Sequence, residues 1–136
     1  MPNEVFLSQS NKDHSTAERL ADVLARHGVP TFFSPQSILG SQEWHDEIGD
    51  ALRRADWFVL LLSPRAVKSN WVKRELVYVL AHDRFKGRIV PLLLAKCQHE
   101  RLSWTLAGYQ FIDFSKDFDT GCRELLRLWG IGLKTS

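Results

Sequence analysis

The segment Trp57-Phe-Val-Leu-Leu-Leu62 is apolar at all six positions, and this run constrains the fold more than any other feature of the chain. A strand with one face in water alternates apolar and polar residues, whereas a strand covered on both faces does not. Six residues are too few to span a membrane. The pair Ser63-Pro64 then ends the run. The segment therefore predicts a central strand of a parallel sheet that carries helices on both faces.

Strand and helix patterns alternate along the rest of the chain. The other strands are predicted at residues 4–8, 29–33, 89–94 and 111–114. Helices are predicted at residues 15–27, 44–55, 70–81 and 118–129. This order specifies parallel strands joined by right-handed crossovers. We therefore expect an α/β fold, a three-layer sandwich around a five-stranded parallel sheet, in a single domain over residues 1–136.

Two local signals refine this prediction. The segment Ser15-Thr-Ala-Glu18 has the form of a capping box, which places the start of the first helix at Ser15. Pro91 has no amide hydrogen to donate, so its strand is expected near the edge of the sheet.

Composition excludes several classes of function. The chain has 18 Lys and Arg against 16 Asp and Glu, and a formal net charge of +2 is too small to predict nucleic-acid or acidic-membrane binding. The two cysteines and five histidines lack the spacing of a metal site, so we expect no metal. No signal-peptide pattern follows Met1, and widely spaced cysteines suit a reducing compartment, so we expect a cytoplasmic protein.

Familiar nucleotide and catalytic motifs are absent from the sequence. There is no GxGxxG after the first strand, no GxxxxGK[ST] and no GxSxG. A phospho-accepting receiver domain shares the order of strands and helices, but it needs an aspartate at the end of the third strand. Ser63 stands there instead.

One group of residues is left as a candidate site. Sheets of this kind bind ligands beyond the carboxyl ends of their strands. Near that edge, Trp71, Glu75, Tyr78 and His82 share one face of the third predicted helix. A carboxylate beside an indole suits the stabilisation of positive charge. On spacing alone, however, a solvated glutamate on an amphipathic helix is the simpler interpretation.

Four segments resemble, in the right order and spacing, the successive boxes of a TIR (Toll/interleukin-1 receptor) domain. They are Glu4–Ser8, Ile38–Trp44, Phe58–Pro64 and Ser69–Leu76. The resemblance covers essentially the whole chain. It implies a flavodoxin-like sheet, which agrees with the alternation of strands and helices described above.

The family contains both enzymes and scaffolds. Animal receptor and adaptor TIR domains mostly signal by self-association, whereas bacterial, plant and some axonal members cleave NAD+ with a glutamate in a WxxxE arrangement. This chain has that arrangement as Trp71 and Glu75. The resemblance therefore implies a bacterial-type NAD+ glycohydrolase or cyclase with Glu75 as the catalytic residue. NAD+ would be its substrate, not a cofactor, and it would act as an effector of antiphage defence. The alternatives are a non-catalytic TIR interaction module and an unrelated flavodoxin-like nucleotide binder such as a nucleoside transferase.

Position within the family implies further contacts with the nucleotide, from Ser8, Gln9, Ser10, Phe33, Ser34, Trp44 and Trp71. Two of these residues have a structural alternative, because Trp44 can anchor its helix to the core and Phe33 can pack within it. Two others depart from the family pattern. Ser34 stands where an acidic residue is common, and Gln9 stands where an aromatic residue is common.

The loop from Pro35 to Glu43 is expected to mediate self-association. Its residues Pro35, Ile38, Leu39 and Gly40 form the candidate contact, in which the apolar pair Ile38-Leu39 is exposed for burial by a neighbour. In the resembling enzymes this loop docks on the next subunit and completes the active site. The expected partners are therefore other TIR domains and a sensor domain or protein, and a sensor domain in the same chain would follow Ser136.

Overall fold

The computed structural model describes residues 1–33 and 42–134, with side chains from Asp46 onward in the second stretch. Within these residues the strands are β1 (Val5–Ser8), β2 (Thr31–Phe33), β3 (Trp57–Leu62), β4 (Ile89–Leu93) and β5 (Ile112–Asp113). They form one sheet in the order β2-β1-β3-β4-β5, and each neighbouring pair is parallel. This is the flavodoxin-like strand order. The predicted α/β fold with a five-stranded parallel sheet is confirmed.

Helices cover both faces of the sheet. They are α1 (His14–Arg26), α2 (Gln42–Arg54), α3 (Pro64–Val67), α4 (Asn70–Leu80) and α5 (Phe118–Leu128). One apolar cluster joins α2, α3 and α4 to the sheet, and a second joins α1 and α5 to it from the other side. The predicted three layers are therefore present, and α3 is an addition to the predicted helices. Among the described helices, none is long and apolar enough to cross a membrane.

Strand β3 lies in the middle of the sheet, and this position accounts for its six apolar residues. Phe58, Leu60 and Leu62 pack in the cluster beneath α2 and α4. Val59 and Leu61 pack in the cluster beneath α1 and α5. Because both faces of the strand are covered, each position needs an apolar side chain.

The first helix begins differently from the prediction. Ser15 is the second residue of α1, and the capping box is not formed. The chain becomes helical earlier, in a 3-10 turn at Asn11–Asp13, where Ser10 Oγ accepts a hydrogen bond of 3.2 Å from the amide of Lys12. Since Ser10 already caps this turn, α1 needs no cap at Ser15.

The prediction for Pro91 is confirmed. Strand β4 neighbours the edge strand β5, whose pairing partners are Leu92 and Leu93. Pro91 therefore lies just before the ladder with β5 begins, at a position where its missing amide hydrogen removes no bond to that strand.

Candidate functional site

The strand order creates a crevice at one end of the sheet. The chain leaves β1 toward β2 and leaves β3 toward β4, so the connections from these two neighbouring strands run in opposite directions. Open α/β sheets bind ligands at this point, beyond the carboxyl ends of the strands. Ser8 ends β1 here, and Ser63 follows β3.

Glu75 lies at this edge of the sheet as the sixth residue of α4, and it is buried, with 4% of its surface exposed. Ser8 Oγ donates a hydrogen bond of 2.6 Å to Oε1 of Glu75. A buried carboxylate requires such partners because burial deprives it of water. The bond links β1 to α4 and fixes one oxygen of the carboxylate at the end of the sheet.

Trp71 lies one turn before Glu75 on the same side of α4. It is half-buried and packs against the apolar cluster beneath α2 and α4. The guanidinium of Arg74 lies 5.5 Å from its ring centroid. One turn beyond Glu75, Tyr78 stacks on His82 with centroids 4.1 Å apart. The structure thus brings Trp71 and Glu75 to one helix face.

Three other predicted nucleotide contacts lie nearby. Gln9 and Ser10 follow Ser8 directly, and both are buried. Phe33 ends β2, and its ring centroid lies 5.5 Å from that of His14 at the start of α1. It also packs against the apolar cluster beneath α1 and α5, as expected of a core side chain.

The remaining predicted site residues lie outside what the structure describes. Ser34, Pro35, Ile38, Leu39 and Gly40 fall between the two described stretches. Trp44 belongs to α2, but its side chain is among those not described. The nucleotide contacts of Ser34 and Trp44, and self-association through the loop, therefore stay predictions.

A second buried carboxylate stands at the same end of the sheet, and the sequence patterns did not single it out. Asp13 accepts a hydrogen bond of 2.5 Å from Ser63 Oγ and one of 2.8 Å from Arg65 Nε. Ser63 Oγ also accepts a bond from the amide of Ala66 and so caps α3. The signal for this cap was present, because a serine followed by proline is a common helix start. Nothing near Asp13 indicated its partners.

The carboxyl ends of β1 and β3 carry groups that can stabilise charge on a bound molecule. Besides Asp13, which is paired with Arg65, this edge of the sheet presents the buried carboxylate of Glu75, held by a hydroxyl and flanked by an indole, at the usual ligand position of the fold. Such a group can stabilise positive charge that develops on a bound molecule. Among the described residues, no group of three or more His, Cys, Asp or Glu side chains lies close enough together to hold a metal ion.

The sequence boxes and the strand order agree with a comparison against known families. A family model described as TIR domain matches residues 5–126. The chain belongs to the TIR domain family. The resemblance inferred from the four sequence boxes is thereby confirmed.

Solved TIR domains have the same fold as this TIR domain. That of the Toll-related receptor TRR-2 from Hydra magnipapillata is 21% identical, with a TM-score of 0.72, and the match covers 90% of this chain and 94% of the other. The TIR domains of the activated Roq1 resistosome, which recognises the pathogen effector XopQ, are 18% identical, with a TM-score of 0.71 and coverage of 91% and 97%.

Two further proteins are similar to this TIR domain, one in sequence and one in fold. A stimulator of interferon genes protein from Magallana gigas is 25% identical over 111 residues, which are 80% of this chain and 27% of that protein. The chain thus spans about a quarter of this relative's length. A 2-deoxyribosyltransferase from Bacillus psychrosaccharolyticus, described as a suitable biocatalyst for the synthesis of nucleosides, is 13% identical, with a TM-score of 0.61 and coverage of 97% and 99%. That likeness extends to the fold alone.

Proposed function

We propose that this TIR domain cleaves NAD+ at the bond between nicotinamide and ribose, with Glu75 as the catalytic residue. The observation that carries the proposal is the placement of Glu75, a buried carboxylate at the carboxyl end of β1, held by Ser8 and one turn from Trp71. A solvated glutamate, the alternative left open by spacing alone, would be exposed. Membership of a family that includes NAD+-cleaving members adds support.

The reaction suits a single carboxylate. Nicotinamide departs with the electron pair of the C–N bond and leaves as a neutral pyridine, so no general acid is needed to protonate it, unlike the leaving group of an ordinary glycoside. The ribosyl group left behind has oxocarbenium character. The negative charge of Glu75 stabilises this cation and orients the ribose hydroxyls. Burial strengthens the effect because there is less water to screen it.

The product depends on which nucleophile captures the cation. Water adds its oxygen to the ribosyl carbon, releases a proton and gives ADP-ribose. Attack by the adenine or ribose of the same molecule gives a cyclic isomer and also releases a proton. The residues Gln9, Ser10, Phe33, Ser34, Trp44 and Trp71 are proposed nucleotide contacts by their positions in the family.

The decisive experiment compares Glu75→Gln with the wild-type chain at high protein concentration and measures nicotinamide release from NAD+. We expect the rate to fall by at least about 100-fold, as for the loss of a principal electrostatic group in an active site. The matched control is Glu124→Gln, because Glu124 is exposed on α5, which packs on the other face of the sheet. Circular dichroism checks that both variants are folded.

The outcomes separate the candidate functions. Undiminished turnover by a folded Glu75→Gln variant would contradict the catalytic assignment. A wild-type chain that releases no nicotinamide at any concentration would instead favour the non-catalytic interaction module. Exchange of bases between nucleosides, without action on NAD+, would favour the nucleoside transferase that shares the fold.

The proposed function includes activation of the TIR domain by self-association. The likeness to the TIR domains of the Roq1 resistosome supports an assembled form. If assembly completes the site, mass action couples activity to protein concentration. Nicotinamide release per molecule should then rise steeply as the protein is concentrated, whereas a constant rate per molecule across dilution would contradict this coupling. A role in antiphage defence stays a prediction from the resemblance.

A further inference from the structure

A crevice of about 340 Å³ opens between the ends of β1 and β3, and of its lining residues the proposed function assigns a role to Ser10 alone. The chain after β1 contributes Ser10, Asn11 and Lys12 to its wall. The chain after β3 contributes Pro64, Arg65, Lys68 and Ser69. Its volume falls within the range of small-ligand sites, about 300–1,000 Å³. The crevice therefore has the size and the position of a ligand subsite.

The wall of this crevice carries three cations and no acid. Arg65 is paired with Asp13, so its charge is largely balanced. Lys12 and Lys68 take part in none of the ion pairs found among residues 1–33 and 46–134. The first turns of α3 and α4 also lack acidic residues, although acids are favoured at helix starts. The crevice is therefore electropositive in a chain whose overall charge is only +2.

Two serines add hydrogen-bonding capacity to the same wall. Ser10 Oγ accepts from the amide of Lys12, and Ser69 Oγ accepts from the amide of Val72, each at 3.2 Å. These bonds use lone pairs of the oxygens. Because a hydroxyl also has a hydrogen to donate, each serine can still donate to an acceptor in the crevice. Cations together with hydroxyl donors match the phosphate oxygens of a nucleotide.

We propose that this crevice binds the pyrophosphate of the dinucleotide, with Lys12 and Lys68 as its cationic partners. The inference rests on the proposed function, which makes a dinucleotide the substrate. Ser69 precedes Glu75 by six residues, or about 9 Å along the axis of α4. The pyrophosphate of NAD+ lies one ribose away from the bond that breaks, which suits this separation.

Charge also sets the direction in which the substrate binds. The nicotinamide ring of NAD+ is positively charged, so the lysines repel it and attract the phosphates. The ring is thereby directed toward Glu75 and Trp71. A lysine ammonium on a flexible stem can follow the phosphate oxygens without a fixed geometry.

The test uses the double variant Lys12→Ala/Lys68→Ala in a Glu75→Gln background, so that NAD+ stays intact. Calorimetry then gives the Kd for NAD+, ADP-ribose and nicotinamide riboside. We expect binding of NAD+ and ADP-ribose to weaken by about tenfold, since each exposed cation contributes modestly. Binding of nicotinamide riboside, which has no pyrophosphate, should not weaken. The matched control is Lys86→Ala/Lys116→Ala, which removes two exposed lysines outside the crevice.

Each outcome decides one of the two proposals. An unchanged Kd for ADP-ribose in the double variant overturns the pyrophosphate subsite, while nicotinamide release by the wild-type chain keeps the proposed function. An equal loss of affinity for nicotinamide riboside also overturns the subsite, because the effect is then not specific to phosphate. If the wild-type chain does not cleave NAD+, but ADP-ribose binding depends on the two lysines, the reaction fails and the subsite is supported.

Discussion

Ser8 Oγ lies 2.6 Å from Oε1 of Glu75 and donates a hydrogen bond to it, although 67 residues separate the two in the chain. Family position predicted that Ser8 contacts the nucleotide. Its side chain is 1% exposed, and its hydroxyl hydrogen is committed to Glu75. In the proposed reaction Ser8 therefore acts through Glu75, as a residue that positions the carboxylate.

The variant Ser8→Ala is expected to lower kcat for nicotinamide release by at least about tenfold and to leave KM nearly unchanged. A hydrogen bond to a charged group contributes about 1.5–3 kcal/mol, and 1.4 kcal/mol corresponds to a factor of ten. The loss falls on kcat because the carboxylate, not the bound substrate, becomes less well placed. Initial rates over a range of NAD+ concentrations separate the two parameters.

Ser115→Ala is a matched control for this variant. Ser115 Oγ also donates a bond of 2.6 Å to a carboxylate, that of Asp113, but both residues are exposed. Its kcat should equal that of the wild-type chain. A rise in KM with unchanged kcat in Ser8→Ala would show that Ser8 binds substrate directly, contrary to the positioning role.

Asp13→Asn is expected to destabilise the fold by about 2 kcal/mol. Asp13 is buried and joins the turn after β1 to the start of α3 through Ser63 and Arg65. Removing its charge weakens both bonds, and buried hydrogen bonds to charged groups are worth about 1.5–3 kcal/mol. Urea denaturation measures the free energy of unfolding.

The two partners of Asp13 should differ in their effects. Ser63 is fully buried and also caps α3, so Ser63→Ala should cost nearly as much as the change at Asp13. The side chain of Arg65 is 42% exposed, and exposed ion pairs contribute about 0–1 kcal/mol. Arg65→Ala should therefore be the milder variant, and the reverse order would contradict this division.

Local sequence patterns predicted the helices and strands well because each element depends mainly on residues that are close together in the sequence. The bounds of β3 follow from its coverage on both faces, and the helix α4 follows from the spacing of Val72, Leu76 and Val79. The start of α1 was predicted wrongly because two serines compete as caps. Ser10 caps the preceding turn, so the box at Ser15 is not used.

The arrangement of the site could not be read from spacing. Ser8 meets Glu75 across 67 residues, and Asp13 meets Ser63 across 50. Both contacts exist because the carboxyl ends of β1 and β3 lie side by side in the sheet. The resemblance to TIR domains implied a catalytic role for Glu75, but no family box distinguished a buried glutamate from a solvated one. Asp13 lay in a polar loop without apolar periodicity, so no pattern marked it.

Iodoacetamide at pH 9 is expected to label Cys97 and to spare Cys122. Desolvation raises the pKa of the buried Cys122 thiol from 9.0 to about 12. Only the thiolate is alkylated, and at pH 9 the ionised fraction of Cys122 is far below that of an ordinary thiol. The pKa of Cys97 is also raised by desolvation, but this side chain is only half-buried. Mass spectrometry of digested protein measures both rates.

The same shift links Cys122 to stability. The pKa of the Cys122 thiol in the folded chain lies above its value in the unfolded chain, so the thiol contributes stability below pH 9 that is lost as the pH rises toward about 12.

Labelling with iodoacetamide in concentrated urea is the control for the prediction on Cys97 and Cys122, because both thiols should then react at similar rates. Equal rates for the two thiols in the folded protein would contradict the burial of Cys122.

Gly121→Ala is expected to destabilise the fold by about 2 kcal/mol, although alanine favours helices. Gly121 lies in α5, where a Cβ atom would stand 2.6 Å from Cγ of Phe114. The ring of Phe114 also contacts that of Phe118, with centroids 5.8 Å apart, which limits its freedom to move away. Overpacking costs about 1–3 kcal/mol, more than the helix propensity of about 1 kcal/mol that alanine regains.

Gly108→Ala is the control that separates the clash at Gly121 from a general effect of adding a methyl group. A Cβ atom at Gly108 meets nothing within 4 Å, so the free energy of unfolding of Gly108→Ala should equal or slightly exceed that of the wild-type chain. Thermal and urea denaturation measure both variants. If Gly121→Ala were as stable as Gly108→Ala, the ring of Phe114 would have to move freely, and α5 could not be closely packed on the end of β5.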